Sequence, residues 1–181
     1  MAEKHEFIDE DVDAYKEGYI LYEKNVEKKI ATITFNRPEK MNALNRGMFM
    51  KVRDLILEAN GDDDVKVIIF KGAGPHFGSG ADVAHLGVHH GWKGSEGRRP
   101  SQRRRLIYDD QVSMGRTGWQ QNVLMADKAT IVQMQGYCYG AHLYYAILCD
   151  IAIASEDALF SHPGYRYIGP MGPMVLWFLT V

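Results

Sequence analysis

Two short glycine-bearing segments, Gly78-Ser-Gly-Ala-Asp82 and Gly136-Tyr-Cys-Tyr-Gly-Ala141, each stand between an apolar strand-like run and the start of a helical pattern. The first N–H groups of a helix have no intrahelical acceptor, and the helix dipole adds partial positive charge there. Small residues let an outside atom approach such a backbone closely. Two of these turns brought together hold one oxygen between two N–H groups. If that oxygen gains charge during a reaction, fixed dipoles stabilise it, and losing one donor costs about 3 kcal/mol. Ordinary strand-to-helix turns are the alternative reading of the same residues. Neither segment reads GxGxxG, nor GxxxxGK followed by Ser or Thr, which argues against dinucleotide and P-loop binding.

Three side chains nearby could move a proton. Tyr144 lies three residues beyond Ala141, on the same face of a helix; it is either a proton donor or an amphipathic core tyrosine. As imidazoles, His142 and His162 are better matched by type to neutral pH than a phenol, and each is either a base or a buried, hydrogen-bonded histidine. Asp82 and Asp150 read as structural, one complementing a helix dipole and the other capping N–H groups at a strand start. His85, His89 and His90 have no carboxylate or cysteine companion at ligand spacing, so no metal site is expected.

The elements that must carry these groups alternate in type. Residues 19–24 and 30–35 read as strands joined by a turn at 25–29. Asn45 caps a helix whose apolar positions Met48, Phe49, Val52, Leu55, Ile56 and Ala59 form one stripe, ended by Asn60-Gly61. Residues 65–70 form a short, nearly all-apolar strand, the kind covered on both faces of a parallel sheet, so strand, helix and strand predict a right-handed crossover. A short helix at 81–86, a polar loop at 87–100 and a longer helix over 105–125 follow. The order then repeats as a strand at 130–134, a loop at 136–140, a helix at 141–148, and short strands at 150–154 and 158–160.

The chain has 181 residues, with 21 Lys and Arg against 23 Asp and Glu, a net charge of −2. Near-neutral charge gives no argument for a nucleic-acid or membrane partner. A domain of this size buries roughly 70% of its unfolded surface and folds without disulfides or metals. Cys138 and Cys149 are too few for a disulfide framework or a structural zinc site. Residues 1–18 form an acidic lead-in with no secretory apolar stretch, so a cytoplasmic location is expected. The apolar run at 174–181 predicts a chain cut short, with a surface that needs cover and hence an oligomer.

Four blocks occur in order: Ile33-Thr-Phe-Asn-Arg-Pro-Glu-Lys-Met-Asn-Ala-Leu44, Phe77-Gly-Ser-Gly-Ala-Asp82, Gly136-Tyr-Cys-Tyr-Gly-Ala141, and Cys149-Asp-Ile-Ala-Ile-Ala-Ser-Glu-Asp-Ala-Leu-Phe160. Over about residues 19–172 the chain resembles the crotonase, or enoyl-CoA hydratase/isomerase, superfamily. The resemblance implies an α/β fold, a crotonase-like spiral of ββα units with the C-terminal helices truncated, and an acyl-CoA-binding core over 19–181. It implies an acyl-CoA thioester whose carbonyl sits between the N–H groups of Ala81 and Ala141. Met41, Ala43, Leu44, Ser79, Gly80, Asp82 and Gly140 would line the CoA site. No cofactor is implied beyond the coenzyme A of the substrate, and the assembly would be a homotrimer or hexamer.

The match departs from the family in its chemistry. Hydratases of the family place glutamates at the positions of Tyr144 and Gly164, so both carboxylates are missing and the hydration or isomerisation step has no assigned acid or base. The naphthoate synthase branch is similar in tolerating glycine at the second site. Tyr144, His142 and His162 are the candidates to replace them. The readings left open are an enoyl-CoA hydratase/isomerase-like enzyme working through an enolate, a CoA-ester hydrolase or carbon–carbon lyase or synthase, and a non-catalytic acyl-CoA binder or assembly subunit. Five arginines within residues 98–105 could capture CoA phosphates or form a solvated face. Arg166, or a phenol of Tyr165 or Tyr167, could reach the acyl end or stack on the surface.

Overall fold

The computed structural model describes residues 15–84 and 118–163. Its main sheet has five strands in the order β1-β2-β3-β4-β6: β1 (Ile20–Asn25), β2 (Ile30–Phe35), β3 (Val67–Gly72), β4 (Ala129–Met134) and β6 (Ile151–Ala154). β1 and β2 form an antiparallel hairpin, and the remaining pairings are parallel. The hairpin turn closes where Asn25 Oδ1 accepts the Lys28 N–H.

Helix α1 (Arg46–Asn60) crosses from β2 to the parallel strand β3. Asn45 Oδ1 accepts the Met48 N–H at 3.0 Å, and all six residues of the expected stripe are buried. The parallel register sets Ala31 beside Ile68 and Thr130, and Ile33 beside Phe70 and Val132. These two rows are sealed on one face of the sheet. The other face, carrying Thr32, Ile69 and Ile131, is half-buried, so among the described residues β3 is fully covered on one side rather than two. Helix α2 (Trp119–Leu124) begins only after Gly118, whose extended backbone (φ −78°, ψ 148°) makes it the N-cap, so the helix expected over 105–125 does not run continuously through Gly118; α2 lays Trp119 against Phe49 of α1 at 5.5 Å between ring centres.

A further expectation needs correction. Residues 136–140 are not a loop: Tyr137–Tyr139 form strand β5, which pairs in parallel with β7 (Leu159–Ser161) as a second, two-stranded sheet. Strand periodicity over three residues gives almost no signal, and the partner lies some twenty residues further along the chain. Helix α3 (Ala141–Leu148) follows directly, with the span expected. The succession β1-β2-α1 and β4-β5-α3 is the ββα repeat. The expectations on residues 1–14, on His85, His89, His90 and 98–105, on Gly164 to Tyr167 and on 174–181 lie outside the described residues.

Candidate active site

Three backbone segments run side by side at one end of the sheet. Ser79 N–H donates to Met41 O, Leu44 N–H to Gly80 O, and Asp82 N–H to Leu44 O, at 2.7 to 2.9 Å. On the other side Gly78 N–H donates to Tyr137 O and Tyr139 N–H to Gly78 O. Residues 41–44, 77–82 and 135–141 are thereby stitched together. Met41, Ala43, Leu44, Ser79, Gly80, Asp82, Gly140, Ala81 and Ala141 are thus gathered in one region.

The first segment is held open by Arg37 and Asn42, two residues whose roles were not foreseen from sequence. Met41 and Asn42 both adopt left-handed backbone conformations, with φ of 49° and 55°. Asn42 is buried; its Nδ2 donates to the carbonyls of Ala73, His76 and Phe77, while its Oδ1 accepts the Arg37 N–H. These bonds over-determine a turn that would otherwise relax. Arg37 lies over the Tyr19 ring at 4.6 Å and donates to Ala43 O at 2.7 Å and to Asp82 Oδ2 at 3.2 Å. Asp82 is therefore an ion-pair partner that ties the two turns, as well as accepting the Ala84 N–H. The one available signal for Arg37 and Asn42 was their unusual pairing of a long cation and an amide around a proline.

The geometry of each turn fixes where its amide points. In a trans peptide the C=O of one residue and the N–H of the next point in opposite directions. Gly80 O accepts from Leu44, so the Ala81 N–H turns away from residues 41–44. Gly140 O accepts from Leu143 inside α3, so the Ala141 N–H points out of the helix end. Neither amide has an acceptor among the described residues. The turns touch: a Cβ built on Gly80 would lie 3.0 Å from Tyr139 O and 3.3 Å from Ala141 N. Gly80 and Gly140 also have positive φ, 99° and 55°, which L side chains rarely adopt.

His142 sits between the turns. It is fully buried; its Nδ1 accepts the Gly80 N–H at 3.0 Å, and its ring meets Phe35 and Phe77 edge-on at 4.9 and 5.1 Å. Burial pulls its pKa down to about 3, so it is neutral with the proton on Nε2. Tyr144, one turn along α3, is nearly buried, and its phenol shares a 2.7 Å hydrogen bond with His162 Nε2 while the rings stack at 5.2 Å. Burial lowers the His162 pKa, leaving that imidazole neutral as well. Burial raises Cys138 to about 11 and Cys149 to about 12, so neither thiol is a nucleophile at neutral pH. Asp150 accepts from the N–H and hydroxyl of Thr130 at 2.7 and 2.8 Å, the capping role expected of it.

The family model described as enoyl-CoA hydratase/isomerase matches residues 25–180. The peroxisomal Delta(3,5)-Delta(2,4)-dienoyl-CoA isomerase of Arabidopsis thaliana is 31% identical, covering 83% of this chain and 52% of its own length. A crotonyl-CoA hydratase of Syntrophomonas wolfei is 28% identical, covering 76% and 47%. A crystal structure of an enoyl-CoA hydratase/isomerase from Xanthobacter autotrophicus matches with a TM-score of 0.63 at 29% identity, over 87% of this chain and 57% of that one. The chain spans about half the length of the curated relatives it matches. With most of its residues matched by the family model, and with the parallel sheet and ββα order described above, the chain belongs to the enoyl-CoA hydratase/isomerase family.

Proposed function

We propose that the chain binds an acyl-CoA thioester where residues 41–44, 78–82 and 140–144 meet, and stabilises its enolate with the amides of Ala81 and Ala141. The observation that carries this reading is the pair of amide N–H groups, each directed away from its own bonded neighbour, on turns in backbone contact. Both are fixed by main-chain bonds before any ligand arrives, so no reorganisation is needed when charge develops on the carbonyl oxygen. Such a pair supplies about 3 kcal/mol of transition-state stabilisation per donor. The relatives named for dienoyl-CoA isomerisation and crotonyl-CoA hydration support an enoyl thioester as the substrate class. The protein would work in the cytoplasm as a homotrimer or hexamer.

The acid and base are the Tyr144–His162 pair in this reading. A neutral imidazole accepts the phenol's proton through the 2.7 Å bond as the phenol takes one from carbon, and the reverse passage delivers it. A phenol is a stronger acid than a thioester α-carbon, so this pair favours protonating an enolate over creating one. That supports a second reading, in which a carbon–carbon lyase step on the same scaffold leaves an enolate and Tyr144 protonates it.

Crotonyl-CoA offered in D2O tests the proposal. Loss of the enoyl absorbance reports hydration, and deuterium entering the acyl chain with the absorbance intact reports proton transfer through an enolate; the account expects the second. Measurable affinity with no turnover of any CoA ester would make the chain a non-catalytic binder, and no affinity for any CoA ester would overturn the reading.

A further inference from the structure

Gly78 is the one glycine of the two turns that its backbone dihedral does not explain, since it is absent from the positive-φ residues. Packing explains it. A Cβ built on Gly78 would fall 2.2 Å from His142 Nε2 and 2.3 Å from two ring carbons, so the imidazole occupies the space a side chain would need. The same ring accepts the Gly80 N–H through Nδ1. His142 follows Ala141 in the chain, and Gly80 precedes Ala81. One side chain, rooted beside one free amide, therefore grips the peptide beside the other.

The ring is also poorly served as a mere filler. With Nδ1 accepting, the proton is on Nε2, which is buried and has no partner among the described residues. A buried donor left unpaired is unfavourable, and an apolar ring would fill the same space without that penalty. The gain that offsets it is the acceptor at Nδ1, which a phenyl group lacks.

We infer that His142 is a positioning residue: it sets the spacing and direction of the Ala81 amide relative to that of Ala141, and Gly78 is the space that admits it. The inference rests on the two-amide reading above. It gives the chain a side-chain adjuster of a site otherwise made of backbone. A thioester carbonyl would be polarised fully only while Nδ1 holds the Gly80 peptide.

The test uses a chromophoric thioester, cinnamoyl-CoA, whose absorbance shifts to the red when its carbonyl is polarised, and whose affinity is measured separately by calorimetry. The native chain is expected to bind it with a red shift. His142→Phe keeps the ring and removes the acceptor, so affinity should hold while the shift is lost, and deuterium exchange of the acyl chain should fall about 100-fold. His142→Asn restores an acceptor near the place of Nδ1 and should recover part of both. A role in stability alone would move none of these against affinity. Should His142→Phe fail to fold, His142→Leu fills most of the same space without an acceptor and should show the same loss.

A full red shift in either acceptor-less variant would overturn the inference while leaving the amide pair standing. Binding of the probe to the native chain with no red shift, or no binding at all, would overturn the two-amide reading and this inference with it.

Discussion

The turn junction and the Tyr144–His162 pair lie within one turn of α3 of each other, yet they hold their groups by different means. At the junction stand main-chain amides, fixed by hydrogen bonds between three segments and by one buried imidazole. At the other end stand two side chains that share a hydrogen bond and stack their rings. A backbone donor survives replacement of its own side chain, so the alanines at 81 and 141 cost the first region nothing. A side-chain acid does not survive replacement, and in this chain position 144 is tyrosine and position 164 glycine. On the reading proposed above, the fold keeps carbonyl stabilisation while leaving the proton chemistry free to change.

Substitutions should separate the two regions. The largest effect is expected from Phe35→Ala, which removes a fully buried ring packed against Phe77, His142 and Tyr145 beneath the junction. It should cost about 4 kcal/mol in chemical denaturation. Gly78→Ala drives a methyl group into the His142 ring and should cost about 2 kcal/mol, by the overpacking of a filled core. Tyr144→Phe reverses the balance: stability should change by only about 1 kcal/mol, while turnover of a CoA ester falls at least about 100-fold. Equal losses of stability and turnover in that variant would contradict the division between the regions.

Acid should act on the junction through His142. The folded chain keeps this residue neutral down to about pH 3, whereas the unfolded chain protonates it near the ordinary value of 6.5. The unfolded state therefore takes up a proton in that window. This contribution to stability is complete above pH 6.5 and declines as pH falls toward 3, with a limiting slope of about 1.4 kcal/mol per pH unit. Denaturation of native chain and His142→Phe at a series of pH values should show a shallower acid decline in the variant. The smallest effect is expected far from both regions: Lys24→Ala breaks an exposed ion pair with Asp62 and should leave the melting temperature unmoved.

The sequence made some of this architecture legible and hid the rest for physical reasons. Helix α1 could be read because its cap and its stripe are local: Asn45 and the six apolar residues repeat within one element. The positions of the two glycine turns were also local, each marked by the change from strand to helix pattern. Strand β5 was not legible, since its three residues gain meaning only from pairing with β7. Asn42 reads as a turn residue in sequence, and only the fold shows that its amide serves carbonyls more than thirty residues away. His142 was similarly opaque, because its hydrogen bond and its steric complement at Gly78 both cross more than sixty residues.

A crystal structure with a bound acyl-CoA thioester tests the central claim most directly. The account predicts the thioester oxygen within about 3.0 Å of both the Ala81 and the Ala141 nitrogen, each N–H aimed at it. A carbonyl held by side chains instead, or one that reaches only one of the two amides, would contradict it.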